Sequence, residues 1–211
     1  MIAPAPTKRR RPVATSPRDR VARVARDLFI AHGFAAVSID EIARRAQVSK
    51  PTIYAHFGDK ERLFLHILET ACTRLIAPLI SEDARGRPIA EVLRNHAHHY
   101  ARAVLAPEVV ALHRLCVGEA QRFPSISRRY FEQGPEMAHK ALAAFLQERA
   151  DAGEIACADC DLAAWHYASL VIATARTRLL FRVEDAPHWP EIDRMVASAV
   201  ELFLRGIAAD A

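Results

Sequence analysis

The stretch SIDEIARRAQVSKPTIYAHFGDKERLF, residues 38–64, contains two helix starts. Ser38 is a hydroxyl N-cap, and Glu41 three residues later completes a capping-box pattern. Ile39, Ile42, Ala43 and Ala46 then share one face of a short helix. The pattern breaks at Gln47, Val48 and Ser49. Ser49 caps a further short helix with Lys50 and Pro51 in its first turn, which runs through Thr52 to Phe57 until Gly58 stops it. Two short helices joined by a turn of three or four residues make a helix-turn-helix. Ala43 is small where the pair must cross, Val48 and Ile53 point inward, and Phe57 closes the core. Lys50, Thr52, Tyr54 and His56 stay outward, a set of donors and one aromatic suited to a groove of DNA. Arg44 and Arg45 on the preceding helix offer phosphate contacts.

Upstream, Ser16-Pro17 reads as an N-cap followed by proline at the first helical position, and Val21, Val24, Ala25, Leu28 and Phe29 follow at helical spacing up to Gly33. Residues 1–16, with three prolines and the run Lys8 to Arg11, read as a disordered basic arm, either a DNA-binding tail or a solubilising one. Residues 1–62 hold 13 Lys/Arg against 6 Asp/Glu, a charge of +7, while the rest carries −3 of the total +4. One end is therefore built to meet a polyanion and the other is not.

Downstream, a longer helix from Asp59 carries Leu63, Phe64, Ile67, Leu68, Ala71 and Leu75 as far as Pro78. Later glycines and prolines leave helical segments at 89–105, 108–123, 125–151, 161–182 and 190–208. Seven glycines in 211 residues, with long segments rich in alanine, leucine, arginine and glutamate, predict an all-α chain. It divides into the arm (1–16), a helix-turn-helix DNA-binding domain (17–64) and a helical body (65–211), which the resemblance described next makes a ligand-binding and dimerisation domain. No apolar run reaches the ~20 residues a membrane span needs, no secretory signal is visible, and a cytoplasmic location is expected.

The 38–64 stretch, with Leu28, Phe29, Gly33 and Phe34 before it, closely resembles the DNA-binding segment of TetR-family transcriptional regulators. The resemblance implies that Ser49, Lys50, Pro51 and Thr52 face bases, while Ser38, Tyr54, His56 and Lys60 sit near phosphates or at the groove edge. Gln47 departs from the glycine common in that turn, and a left-handed backbone there costs on the order of 1 kcal/mol. The run from His113 to Ile126, continued by Tyr130 to Pro135, looks like the C-terminal domain of the AefR-like subset. It implies a homodimeric repressor that releases a palindromic DNA operator when a small-molecule effector binds the body.

In the body, His99, His113, Cys116, Tyr130, Met137, Trp165 and Ser169 stand among aliphatic positions, the mixture expected of an effector site. The segment 161–182 is apolar nearly all round and must be covered on both sides. The family resemblance implies that this segment and 190–208 supply the dimer interface, through Leu162, Val171, Ile192, Met195, Val196, Ala199 and Phe203. Cys157 and Cys160 have the spacing of a redox or zinc pair but lack a second pair, and two loop thiols are the better reading. The cluster His96, His98 and His99 reads as polar contacts rather than a metal site. No catalytic constellation stands out, so no enzyme, cofactor or metal is expected; the competing class is a metal- or redox-responsive sensor, or an enzyme, using the helical body.

Overall fold

The computed structural model describes residues 16–72 and 86–208. The basic arm up to residue 15, residues 73–77 of the connecting helix and the break at Pro78 lie outside the described residues. Helix α1 (Pro17–His32) begins where the Ser16 hydroxyl accepts the Asp19 amide and ends at Gly33, whose φ of 82° only glycine adopts without strain. Helix α2 (Ile39–Ala46) starts on Ser38, whose hydroxyl accepts the Glu41 amide. The capping box is half made, because the Glu41 carboxylate turns to Arg44 and Arg45. Gln47 adopts the left-handed conformation, φ 53° and ψ 50°, and its amide closes the end of α2. Helix α3 (Lys50–Phe57) is capped by Ser49 and stopped by Gly58. Helix α4 (Lys60–Cys72) follows at once.

The body begins with α5 (Ile89–Val104) and α6 (Pro107–Gly118). The expected helix over 125–151 is α7 (Pro124–Phe131), a π-helical turn (Glu132–Glu136) and α8 (Met137–Asp151). Proline has no amide to donate and crowds the carbonyl four residues back; widening the helix by one residue around Gly134 and Pro135 relieves both and keeps the chain helical. Two long helices, α9 (Cys160–Leu180) and α10 (Trp189–Gly206), complete the all-α fold.

Two apolar cores form. One gathers Leu28, Phe29, Ile42, Ile53, Phe57, Leu63 and Phe64, but also Ile67 and Leu68 of α4 and Leu112, Cys116 and Ile126 of the body. The expected boundary at residue 64 thus falls within a continuous core. The other is built from Leu93, Ala97, Leu142, Leu146, Tyr167, Val171, Val196 and Phe203.

That second core corrects the expected dimer surface. Val171, Ile192, Val196, Ala199 and Phe203 are buried within the single chain, with Phe203 set edge-on against the buried Tyr167 ring at 5.1 Å. Met195 is half-buried. Of the expected set Leu162 stays exposed (49 %), and the solvent faces of α9 and α10 carry with it Leu170 (41 %) and Leu202 (61 %). A charge at Phe203 should therefore unfold the body rather than free a monomer: Phe203→Glu should cost on the order of 4 kcal/mol in chemical denaturation, while Leu202→Glu should leave the stability of the single chain unchanged within about 0.5 kcal/mol. Equal losses for the two would contradict this packing.

Candidate functional site

The recognition surface is built by α2 and α3. Ile53 and Phe57 anchor α3 in the N-terminal core, and a helix anchored on that face turns Lys50, Pro51, Tyr54 and His56 to solvent, with Thr52 half-buried. The Ser49 and Thr52 hydroxyls are 2.8 Å apart and share a hydrogen bond, so the start of α3 is held by its own side chains. Lys50 Nζ lies 2.5 Å from the Asp40 carboxylate, which raises the lysine pKa and ties the first turn of α3 to that of α2.

Arg44 and Arg45 are exposed beside Ser38 on α2, and both hold Glu41. Hydrogen bonds from Arg44 and then Arg45 lower its carboxyl pKa to about 2. A carboxyl depressed in the folded state stabilises the fold above its unfolded pKa, near 4.5, and loses that contribution as pH falls towards 2. The cluster is therefore ionised throughout the neutral range, and one carboxylate offsets one of the two arginine charges.

Lys60 is a correction. Its ammonium donates to the carbonyls of Phe34 and Val37, both at 2.9 Å, and lies 4.5 Å from the centre of the Phe34 ring. Burial lowers its pKa. The side chain fastens the α1–α2 turn to the start of α4 and is already engaged, rather than held out for phosphate. Arg20, absent from the sequence-based set, has the same kind of role: its Nε donates to Ala46 O at 2.8 Å and satisfies the end of α2.

In the body, a cavity of about 60 Å³ lies between α5, α8 and α9. Of the seven expected effector residues, Trp165 and Ser169 line it. The other five are placed elsewhere, or only near it. His99 is exposed in a cleft against α1 and α4, and His113 pairs through Nδ1 with the Tyr130 hydroxyl at 3.0 Å. Cys116 is buried in the N-terminal core, and Met137 packs on the body core one residue before the cavity face of α8. The residues sequence reasoning missed are His96, Tyr100, His139, Tyr167 and Arg176. The Tyr167 phenol donates to Leu93 O at 2.8 Å and accepts from His96 Nδ1 at 2.9 Å, and burial raises the pKa of both Tyr100 and Tyr167. His96 and Tyr100 share a face one helical turn apart, which was visible in the sequence; nothing there pointed to Tyr167, 71 residues on.

A wider groove of about 490 Å³ opens between the start of α9 and the end of α10, lined by Leu162, His166, Leu170 and Leu202, with Cys157 at its edge. Cys160 is buried, and burial together with Cys157 pushes its thiol up to about 12, far from a reactive thiolate. Among the described residues no group of three or more His, Cys, Asp or Glu side chains is placed to hold a metal ion.

Residues 22–67 match the family model described as bacterial regulatory proteins, tetR family, and residues 91–207 match the one described as AefR-like transcriptional repressor, C-terminal domain. An HTH-type transcriptional repressor of Mycobacterium tuberculosis is 34% identical over 128 residues, 59% of this chain and 63% of that protein. The matched region thus spans under two thirds of the length of such curated relatives. Coverage is fuller among solved structures. A TetR-family transcriptional regulator from Mesorhizobium loti aligns over 91% of this chain and 96% of its own, with a TM-score of 0.79 and 26% identity. The flavonoid-responsive regulator FrrA aligns over 92% and 98%, with a TM-score of 0.75 and 32% identity.

If Lys60 is a structural clamp, Lys60→Met should remove about 1–3 kcal/mol of stability by leaving two carbonyls without their donor. Urea denaturation followed through the N-terminal module measures this, and an unchanged midpoint would return Lys60 to the phosphate-binding set.

Proposed function

The chain belongs to the TetR family of bacterial regulatory proteins, and from that premise we propose that it is a homodimeric repressor that grips a two-fold DNA operator and releases it when a small molecule enters the body. The observation that carries the DNA-binding part is the exposed set Lys50, Tyr54 and His56 on α3, with the half-buried Thr52 among them, on the segment that holds the +7 charge. Lys50 and Thr52 read base edges; Tyr54, His56 and Ser38 position the backbone, with Arg44 and Arg45 beside them. A single short recognition helix gains affinity when a second half-site is engaged, and the exposed Leu162, Leu170 and Leu202 give α9 and α10 an apolar face for a second copy. The name of the flavonoid-responsive neighbour supports an effector, and the partly stacked cavity between α5, α8 and α9 is where this chain would hold one. No helix among the described residues is long and apolar enough to cross a membrane, which agrees with action on DNA in the cytoplasm.

Electrophoretic mobility shift against genomic fragments, followed by anisotropy on the selected duplex, tests this directly. Affinity should fall steeply with salt, and Tyr54→Ala should weaken binding on every sequence. Glu41→Gln should strengthen binding and steepen the slope of log K against log salt by about 1, because it frees an arginine charge for phosphate. Sedimentation should show a dimer that Leu202→Glu dissociates. Salt-independent binding, or a monomer at micromolar protein, would overturn the corresponding half of the reading.

A further inference from the structure

We propose that the cavity between α5, α8 and α9 takes a small single-ring phenolic acid, its hydroxyl donated to His139 and its carboxylate held by Arg176. This rests on the reading of the body as an effector domain and gives that effector a chemical class.

His139 carries the argument. It is only 6 % exposed, and its Nε2 lies 2.9 Å from the carboxylate of the exposed Asp161. A carboxylate can only accept, so Nε2 holds a proton, and in the neutral ring Nδ1 then presents a lone pair. That Nδ1 is buried, belongs to a side chain lining the cavity, and has no hydrogen-bond partner in the protein. A buried acceptor left unpaired is costly, and the group that satisfies it must donate. His96 and Tyr167 make no such demand on each other's side of the cavity, because their bond to one another continues to Leu93 O.

The other features define what surrounds that donor. The His139 ring stacks on Trp165 with centroids 4.0 Å apart and planes 14° from parallel, which makes this end of the cavity flat. Trp165, Ala168, Ser169, Ile172 and Arg176 line it at helical spacing along one face of α9. Eleven residues of helix set Trp165 and Arg176 roughly 16 Å apart along the axis, and both side chains line the same cavity. Arg176 makes no ion pair among the described residues, and its charge acts on the buried Tyr100. The lining therefore reads, in order, acceptor, flat apolar wall, cation. A phenol with a short acidic arm presents donor, flat ring and anion in the same order.

Size selects within that class. At about 60 Å³ the cavity lies well below the ~300 Å³ and more of drug-sized sites, and also below the ~150 Å³ of an engineered cavity that holds benzene. A single ring asks the lining to expand least, whereas a fused three-ring ligand would have to part α8 from α9.

The test is calorimetric titration of the full chain with 4-hydroxycinnamic acid, its 4-methoxy ether, and 4-hydroxycinnamyl alcohol. The hydroxy acid should bind, and the ether and the alcohol should each bind about tenfold more weakly, one hydrogen bond or ion pair having been lost in each. His139→Phe keeps a flat ring against Trp165 and should erase the difference between hydroxyl and ether. Arg176→Gln should erase the difference between acid and alcohol. Should either variant fail to fold, the three compounds on the unaltered protein still decide the matter. Equal affinity for phenol and ether, or no saturable binding of the hydroxy acid at millimolar concentration, overturns the proposal. Parallel anisotropy on operator DNA separates the two readings. Release of DNA by other compounds but not by the hydroxy acid overturns this proposal alone, while discriminating binding of the hydroxy acid without any DNA binding upholds this site and overturns the regulator reading.

Discussion

The pose of the recognition helix depends on one aromatic cluster. Phe29, Phe34 and Phe64 meet pairwise with centroids 5.3–5.4 Å apart, and Phe123 from the loop between α6 and α7 stands edge-on to Phe34 at 5.1 Å. Aromatic rings in such tilted and edge-on contacts add to what their burial alone contributes. Lys60 sits on the Phe34 ring and holds the carbonyls of the same turn. Since Phe34 lies between α1 and α2, and Phe64 on α4, the cluster sets where α2 and α3 stand relative to the helix that leads into the body. Phe123 makes the body a part of that setting. An N-terminal module cut off at residue 64 would lose Ile67, Leu68, Leu112, Cys116 and Ile126 from its core as well.

The electrostatics of the DNA face follow a similar logic of prior engagement. Arg44 and Arg45 share Glu41, and Lys50 holds Asp40. Such exposed pairs add little to folding, but they set the cations in place and reduce the charge a non-specific polyanion meets. Phosphate or a base edge must outcompete a carboxylate at each, which moves part of the binding free energy from general attraction towards sites that offer a well-placed acceptor. The +7 of the N-terminal segment already counts Asp40 and Glu41, so these pairs set where its charge is offset and leave the total unchanged.

Much of this was legible in the sequence, and the failures have physical reasons. Ser16, Ser38, Ser49, Gly33 and Gly58 mark helix ends through local hydrogen bonding and backbone conformation, which act over three or four residues and leave a readable pattern. Lys60 and Arg20 bind backbone carbonyls, 23 to 26 residues away, and a carbonyl has no signature in sequence. Five of the expected interface residues are buried because the strongest apolar stripe of α9 and α10 packs within the chain; the outer stripe, which keeps Leu162, is broken by His166 and Ser169 and stands out less. Met137 was chosen by residue type among aliphatic neighbours, and type alone does not say which side of α8 meets the cavity; Ala138, His139 and Leu142 do.

The π turn is where the cavity and the DNA module come nearest to sharing parts. Pro135 lines the cavity, and two residues earlier Gln133 Nε2 donates to the Glu69 carboxylate of α4 at 3.1 Å. At the start of α7, Ser125 bonds Glu61 in the first turn of α4. On the opposite side Arg114 of α6 donates to Leu179 O and Leu180 O, tying the end of α9 to the helix that carries Leu112 and Cys116 into the N-terminal core. Proximity of this kind does not make a coupling; a ligand shifts DNA affinity only by its unequal affinity for two arrangements of these parts.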